Sequence, residues 1–248
     1  MKALNILYAI WGIFWFWIFM LILYPFFVAT ILVNSWTRAG LYLFKIWAKV
    51  TLFFIFLPIR KVYHFQADKN KDVFVYCSNH TSFMDIALIH ATCPTPVVFM
   101  GKESLSKVPL FGFIFKSLNI TVNRQSKTDS YQAFEKSKKV ISEGKSVTIF
   151  AEGGINNKKL PGLLPFKDGA FRCAIEKQVP IVPIVMPFNW IVLPPYKAFL
   201  KNHLLHITYL KPISTKGMTL SDIETLKKQV YEIMLRELKT HFPDKEIL

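Results

Sequence analysis

A histidine and an aspartate lie five residues apart in residues 79–85, which read Asn-His-Thr-Ser-Phe-Met-Asp. Such a pair performs general-base chemistry when the carboxylate accepts the Nδ1 proton of the imidazole and leaves Nε2 free to deprotonate a hydroxyl. On one continuous helix, an offset of five residues turns two side chains about 140° apart. The chemistry therefore requires His80 in a loop and Asp85 in the first turn of the helix that follows.

The same segment also has a purely structural explanation. Ser82 and Asp85 are spaced as in a capping box, in which side chains bond the free N–H groups at the start of a helix. His80 is then an ordinary loop residue. Ser82 is also a candidate nucleophile, and Cys77 is a second one nearby. The capping position of Ser82 and the apolar surroundings of Cys77 favour structural roles for both.

Alternating apolar runs place the His–Asp pair in an α/β architecture. Residues 73–76 predict a strand just before the pair, and residues 82–91 predict a helix after it. The other predicted elements are strands at 97–100, 120–122, 147–150, 181–185 and 204–209, helices at 130–142 and 169–177, and a closing helix after a capping box at 221–224. This alternation predicts a mostly parallel sheet flanked by helices, with the site beyond the carboxyl ends of strands.

The first 60 residues differ in composition from the rest. They contain no acidic residue and five basic ones, and five of the six tryptophans lie in the first 47 residues. The apolar run 3–33 is long enough to span a bilayer, which needs ~20 apolar residues, and is about twice the length of a signal-peptide core. Pro25 is expected to kink or break a helix there, and residues 34–40 are expected to form a turn.

A second apolar stretch, residues 41–59, carries Lys45 and Lys49 on one helical face because the two are four residues apart. Lysines deep in a bilayer are unfavourable. The pattern therefore predicts a helix lying in the interface with its apolar face, which includes Phe44 and Trp47, in one leaflet. Two spanning helices with snorkelling lysines are the alternative.

Basic residues lie at both ends of this N-terminal segment, Lys2 at one and Arg60 and Lys61 at the other. This arrangement favours the same cytoplasmic side for both ends, and therefore two helices that enter one leaflet without crossing. The predicted division is a membrane-anchoring two-helix segment at residues 1–60 and a catalytic domain at residues 61–248.

The net charge of +15 indicates an anionic partner, such as a membrane surface, nucleic acid, or an acidic carrier or substrate. The chain contains no recognisable RNA or DNA motif, and its tryptophans are concentrated in the N-terminal segment, so we expect an anionic membrane surface and no nucleic acid. Three cysteines without paired spacing, Cys77, Cys93 and Cys173, argue against a disulfide framework and a zinc site. They favour a reducing, cytosolic environment for the catalytic part.

Four sequence blocks accompany the His–Asp pair in a fixed order. They are Asn79-His80-x4-Asp85; Gly-Lys-Glu-Ser-Leu at 101–105 with Val-Pro-Leu-Phe-Gly at 108–112 and Val-Asn-Arg at 122–124; Phe-Ala-Glu-Gly at 150–153; and Val-Pro-Ile-Val-Pro-Ile at 179–184. Together they resemble the glycerolipid acyltransferases, specifically the bacterial 1-acylglycerol-3-phosphate acyltransferases (lysophosphatidate acyltransferases). The apolar N-terminal segment resembles the two-helix membrane anchor of that family.

The third block departs from the family pattern. Family members usually read Phe-Pro-Glu-Gly-Thr-Arg there, whereas residues 150–155 read Phe-Ala-Glu-Gly-Gly-Ile. The resemblance assigns the missing Arg to the substrate phosphate, so Lys158, Lys159 or Lys167 would have to supply that charge. Lysine provides only a point charge, whereas arginine binds phosphate in a bidentate way.

The resemblance implies that His80 is the catalytic base and that Asp85 orients it. Arg124 and Lys102 are the expected phosphate ligands, and Glu152 is expected to position the glycerol or its phosphate partners. The full set of expected substrate-binding residues is Lys102, Arg124, Glu152, Gly153, Lys158 and Lys167. The glycines of the third block allow close backbone approach. Neither a metal nor a bound cofactor is expected.

The implied reaction moves an acyl group from acyl-coenzyme A or acyl-acyl carrier protein to the free sn-2 hydroxyl of 1-acylglycerol-3-phosphate, giving phosphatidate. Backbone N–H groups near the helix start after His80 are expected to hold the oxyanion. Two alternatives stay open: another lysolipid acceptor, such as lyso-ornithine lipid, and a catalytically inactive lipid-binding protein. The implied location is the cytoplasmic (inner) membrane of a bacterium, with the catalytic domain on the cytoplasmic side.

Overall fold

The computed structural model describes residues 2–33, 37–195 and 199–244. Helices and strands alternate along most of this chain after two consecutive N-terminal helices. In chain order the elements are α1 Lys2–Leu32, α2 Thr37–Phe54, β1 Ile59–Tyr63, β2 Val75–Ser78, α3 Met84–Thr92, β3 Val97–Lys102, α4 Phe111–Leu118, β4 Ile120–Val122, α5 Lys127–Ser142, β5 Ser146–Phe150, α6 Gly169–Lys177, β6 Ile181–Val185, α7 Asn189–Val192, β7 Leu205–Tyr209 and α8 Ile223–Thr240.

The strands form one sheet in the order β1-β7-β6-β2-β5-β3-β4. The five strands β6, β2, β5, β3 and β4 run parallel to one another. β7 pairs antiparallel with β6, and β1 pairs parallel with β7 at the edge. The sheet is therefore mixed but mostly parallel, and the predicted α/β fold is confirmed.

Helices cover both faces of this sheet. Successive strand residues point to opposite faces, so Val75 and Cys77 of β2 pack with α6 and α8, where Phe171 and Val230 are fully buried. Tyr76 points to the other face and packs in the cluster formed with α2, α3 and α4. Parallel strands covered on both faces need apolar side chains throughout. This requirement explains why the central strands β2, β5 and β6 are mostly apolar and are buried at every position.

Local patterns predicted most elements, with a few differences. The strands at 120–122 and 181–185 and the helix at 169–177 have the predicted bounds. The edge strand β1 and the short helix α4 were not predicted. The capping box before α8 begins at Thr219, whose N–H bonds Asp222 Oδ2 at 2.7 Å, and not at Ser221 as predicted.

The N-terminal apolar run forms one continuous helix, α1, which passes through Pro25 without the predicted break. Among the described residues, α1 is the one helix long and apolar enough to cross a membrane. It nevertheless contacts the catalytic part near its start, where Asn5 O accepts a hydrogen bond from Leu200 N at 3.4 Å. Residues 34–36 of the predicted turn lie outside the described residues, and residues 37–40 belong to α2.

The apolar face of α2 is covered by protein, and the prediction that it lies in a leaflet is wrong in this respect. Phe44 is fully buried and stacks on His90 of α3 with ring centroids 4.7 Å apart. Lys45 Nζ donates a hydrogen bond to the backbone carbonyl of Cys93 at 2.6 Å. Tertiary packing against α1, α3 and α4 therefore uses the face that periodicity alone assigned to lipid. Much of the exposed apolar surface lies on α1 and includes Leu4, Leu7, Ile13 and Phe14.

Candidate active site

The carboxyl ends of the parallel strands meet at one edge of the sheet, and several predicted site residues lie there. His80 and Glu152 follow β2 and β5 by two residues, Arg124 follows β4 by two, and Lys102 is the last residue of β3. β2, β5, β3 and β4 are neighbours in that order. Ligand sites in open α/β sheets lie at this edge. The fold thus brings together residues that are up to 72 positions apart in sequence.

His80 and Asp85 form the predicted pair. His80 lies in the loop after β2, Asp85 lies in the first turn of α3, and the Nδ1–Oδ2 distance is 2.8 Å. Because Nδ1 is bonded to Asp85, Nε2 is the ring nitrogen left for a ligand. The imidazole lies flat against the ring of Phe150, with centroids 3.8 Å apart and an interplanar angle of 11°. The carboxylate and the aromatic ring together fix the orientation of the imidazole.

Asp85 bonds His80 and also accepts hydrogen bonds from the backbone just before α3. Its Oδ2 accepts hydrogen bonds from the N–H groups of Thr81 at 2.7 Å and Ser82 at 2.9 Å. Its Oδ1 accepts from Asn189 Nδ2 at 2.8 Å. The Ser82 hydroxyl accepts from Met84 N at 3.1 Å, as expected of a capping residue. The prediction that N–H groups at this helix start hold the oxyanion is wrong for Thr81 and Ser82, because Asp85 already uses both.

Glu152 is almost completely buried and connects the loop that contains His80 to the loop that contains Leu164. Its Oε1 accepts from His80 N at 2.9 Å and its Oε2 from Leu164 N at 2.8 Å. The backbone carbonyl of His80 is also bonded, because it accepts a hydrogen bond from Asn156 N at 2.7 Å. The predicted contact of Glu152 with glycerol or its phosphate partners stays a prediction. Both carboxylate oxygens bond backbone N–H groups, and Glu152 positions the His80 loop.

Burial alters the acidity of the groups beneath the site. It raises the pKa of Glu152 to about 7, although the N–H groups of His80 and Leu164 act in the opposite direction. Burial also raises the pKa of the Cys77 thiol well above its usual value, and the nearby Glu152 adds to that increase. A fully buried thiol with a raised pKa has little thiolate, which supports a core role for Cys77.

A cleft of about 560 Å³ opens in front of His80 and is lined by Lys102 and Arg124. The guanidinium of Arg124 lies over Gly154, because its Nη1 is 3.6 Å from the position that a Cβ of residue 154 would take. Partial burial lowers the pKa of Arg124, but a guanidinium remains charged in proteins. Three cations, Lys102, Lys107 and Arg124, line one cleft with the imidazole, and this charge suits an anionic substrate group.

The other predicted substrate-binding residues lie outside this cleft. Gly153, at φ +71°, and Lys167 line a second cavity of about 350 Å³ that shares Arg124 with the cleft. Lys158 is exposed and lines neither space. Ile155, which replaces the arginine of the family pattern, lines the cleft with an apolar side chain. The structure therefore does not supply the missing charge from Lys158.

An apolar cavity of about 290 Å³ lies between α1, α2 and α3. Its lining includes Gly12, Phe16, Leu52 and Ala87. Phe83 lines both this cavity and the cleft, so the two spaces adjoin the same side chain beside the His80 loop. A lining of this composition suits a hydrocarbon chain.

Two asparagines of the site were not predicted. Asn189 bonds Asp85, and Asn156 bonds the carbonyl of His80 through its N–H and that of Gly162 through its side chain, at 2.9 Å. Both follow the carboxyl end of a strand, which was a usable signal. Their partners in the His80 loop and in α3, His80 and Asp85, are more than 70 residues away in sequence, so the signal does not identify these partners.

Comparisons with known proteins agree with this architecture. Residues 60–187 match the sequence model of the family described as Acyltransferase. An uncharacterized acyltransferase of Schizosaccharomyces pombe is 37% identical over 151 residues, which cover 60% of this chain and 54% of that protein. A 1-acyl-sn-glycerol-3-phosphate acyltransferase of Haemophilus influenzae is 30% identical over 168 residues, which cover 66% of this chain and 68% of that protein.

A solved structure has the same fold. The crystal structure of the 1-acyl-sn-glycerophosphate (LPA) acyltransferase PlsC from Thermotoga maritima matches with a TM-score of 0.81 and 20% identity, and the match covers 99% of each chain. The Schizosaccharomyces pombe protein is longer, and the chain spans about half of its length, 54%. The family match covers about half of this chain, and the Haemophilus influenzae protein aligns over most of its own length. This chain therefore belongs to the acyltransferase family that includes the 1-acyl-sn-glycerol-3-phosphate acyltransferases.

Proposed function

We propose that this chain transfers a fatty acyl group from an acyl thioester to the free sn-2 hydroxyl of 1-acylglycerol-3-phosphate and so forms phosphatidate. The observation that carries the proposal is the His80–Asp85 pair, bonded at 2.8 Å beside a cleft that is also lined by Lys102 and Arg124. The family and the names of its relatives support the reaction class.

In the proposed mechanism, His80 Nε2 takes the proton of the acceptor hydroxyl while that oxygen attacks the thioester carbonyl carbon. Asp85 holds the imidazole through Nδ1 and stabilises the imidazolium that forms. The tetrahedral intermediate then collapses and the carbon–sulfur bond breaks. The imidazolium returns its proton to the departing thiolate, so the base is regenerated.

The arrangement of the cavities supports a placement for the substrates. Arg124 and Lys102 bind the phosphate of the acceptor in the cleft, since both line it. An acyl chain occupies the apolar cavity on the far side of Phe83. With the phosphate and the chain on either side of the His80 loop, the reacting hydroxyl and thioester lie near Nε2.

The proposed function is tested by assaying the purified chain with a panel of lysolipid acceptors, each with acyl-coenzyme A and with acyl-acyl carrier protein. We expect kcat/KM for lysophosphatidate to exceed that for an uncharged lysolipid by about tenfold or more, since a charge-assisted hydrogen bond contributes roughly 1.5–3 kcal/mol. Ile155, in place of an arginine, motivates lyso-ornithine lipid as the second candidate acceptor. A higher kcat/KM with that lipid would overturn the proposal, and lipid binding without turnover would favour an inactive lipid-binding protein.

We expect Arg124→Ala to raise KM for lysophosphatidate roughly tenfold to a hundredfold with little change in kcat. The reason is that a phosphate contact contributes to ground state and transition state alike. Steady-state kinetics measures both constants. Arg172→Ala on α6 is a matched control, because Arg172 lies outside the cleft and pairs with Glu176 at 2.7 Å. An equal loss with an acceptor that lacks phosphate would contradict the phosphate assignment.

We also propose that residues 1–60 anchor the catalytic domain, residues 61–248, in one leaflet from the cytoplasmic side, in a bacterium at the inner membrane. Contacts along α1 support this arrangement. Asn5 bonds Leu200 near the start of α1, and the ring of Phe16 lies 5.7 Å from that of Phe111 in α4. A helix attached in this way cannot cross a bilayer without losing those contacts. The net charge of +15 favours an anionic surface beneath the domain.

A single cysteine tests the arrangement of the anchor. Ser35→Cys, in a chain in which Cys77, Cys93 and Cys173 are replaced, should resist an impermeant thiol reagent added to intact spheroplasts. It should react after permeabilisation, as should a cytoplasmic control, Leu220→Cys. Labelling of residue 35 from outside would show that the connection between α1 and α2 crosses the membrane, and the one-leaflet arrangement would fail.

A further inference from the structure

The turn before α4 holds a leucine in a conformation that side chains rarely adopt. Leu110 has φ 57° and ψ −59°, and Phe111 N donates to Pro109 O at 2.6 Å. These features define a γ-turn with its central residue at positive φ, which is rare and strained. Strained backbone of this kind persists only when the surrounding structure enforces it, and it is often retained for function.

The neighbours of Leu110 enforce the turn. Gly112 N donates to Val108 O at 2.7 Å, and a Cβ at Gly112 would collide with the carbonyl of Ser106. The ring of Phe111 lies 5.7 Å from that of Phe16 and 5.9 Å from that of Trp47. Gly112 and the buried Phe111 thus fix the chain that follows Leu110.

The side chains presented by this turn and by α4 are apolar and exposed. Leu110 is 40% exposed and Phe113 is 49% exposed. Exposed lysines flank them, since Lys107 precedes the turn and Lys116 lies one helical turn after Phe113. Phe111, between them, packs on Phe16 of α1, so this apolar pair adjoins the helix that carries the exposed apolar surface of the anchor.

We propose that Leu110 and Phe113 insert into the headgroup region of an anionic phospholipid bilayer, as a second membrane contact outside the α1–α2 segment. The proposal deepens the proposed function and rests on it. Continuity with the exposed face of α1 supports a lipid surface as the partner. Lys107 and Lys116 would meet anionic headgroups on either side of the inserted pair.

This contact would set the height of the active-site cleft relative to the membrane surface. Lys102, Leu105 and Lys107 line the cleft, and the strained turn follows them directly in sequence. Insertion of Leu110 holds this wall of the cleft at the level of the headgroups, where the phosphate of a membrane-embedded acceptor lies. A long-chain lysolipid then reaches the cleft without leaving the bilayer.

Spin labels test the insertion directly and without any assay of turnover. The three native cysteines are buried, so a thiol-reactive label should attach selectively to Phe113→Cys and, as a matched control, to Leu220→Cys. The full chain is reconstituted in vesicles of phosphatidylcholine with phosphatidylglycerol. We expect oxygen to relax the label at residue 113 more strongly than a water-soluble nickel chelate does, and the reverse at residue 220. Equal behaviour at the two positions would overturn the proposal even if the acyltransferase assignment holds.

A second variant separates membrane contact from structural support. Leu110→Gly relieves the positive φ and should raise the melting temperature. It should nevertheless lower kcat/KM for a long-chain lysolipid in anionic vesicles by about tenfold, because one apolar side chain no longer enters the bilayer. Activity with a short-chain acceptor below its micellar concentration should remain unchanged. An equal loss with both acceptors would show that Leu110 supports the cleft and does not contact the membrane.

Discussion

His80→Ala should reduce turnover by a factor of about 10²–10⁴, the usual contribution of a positioned general base. The fold should remain intact, because the substitution removes one buried ring and leaves the backbone bonds of residue 80 to Glu152 and Asn156 in place. No neighbour can replace the base. Glu103 is the carboxylate among the described residues that line the cleft, and it pairs with Lys107 at 3.7 Å.

The measurement for His80→Ala is kcat on purified protein, together with thermal unfolding in detergent to verify the fold. His64→Ala is the matched control, since His64 is exposed and does not line the cleft. That control should retain normal turnover. If His80→Ala kept more than about a tenth of the wild-type rate, well above the expected range, the assignment of the base would be wrong.

Asp85→Asn should lower turnover by about 10–10², less than the loss of the base, because its role is to orient and stabilise the imidazole. The charge that stabilises the imidazolium is lost, and the imidazole is held less well. kcat and KM measured side by side with His80→Ala would show the difference. A larger loss than that of His80→Ala, in a folded protein, would contradict a purely orienting role.

The fold of Asp85→Asn should survive because its environment can adapt. The new side-chain oxygen can still accept from Thr81 N and Ser82 N, and the new amide then faces Asn189. The Oδ1 atom of Asn189 is buried and has no hydrogen-bond partner within the described part of the chain. Rotation of the Asn189 amide would present this oxygen to the new N–H group. A variant that fails to fold would instead show that Asp85 acts mainly as the cap of α3.

The spacing of His80 and Asp85 by itself determined much of the site. The two residues lie in one short segment, and their separation requires one in a loop and the other on a helix. The strands Ile120–Val122 and Ile181–Val185 were predicted with the correct bounds, and the second is a continuous apolar run, as expected of a strand covered on both faces. These features depend on residues that are close in sequence, so the local sequence is enough to predict them.

Tertiary structure alone decided which long-range partners complete the site. Glu152 had the composition of a substrate ligand, yet its carboxylate bonds His80 N and Leu164 N. The position of Asn189 after β6 did not identify its partner, and Asn189 bonds Asp85 across 104 residues. Both contacts exist because β2, β5 and β6 are neighbours in the sheet, and strand order is not encoded in any local pattern.

The same limit applies to the N-terminal helices. Periodicity identified the apolar face of α2 and the opposite placement of Lys45 and Lys49. It did not reveal what covers that face, since burial against protein and burial in lipid select the same residue types. The structure resolves the ambiguity by packing Phe44 and Trp47 against the catalytic part and leaving the apolar side of α1 exposed. The hydrophobic pattern therefore determined that this face of α2 is removed from water. Only the tertiary packing determined that protein, and not lipid, covers it.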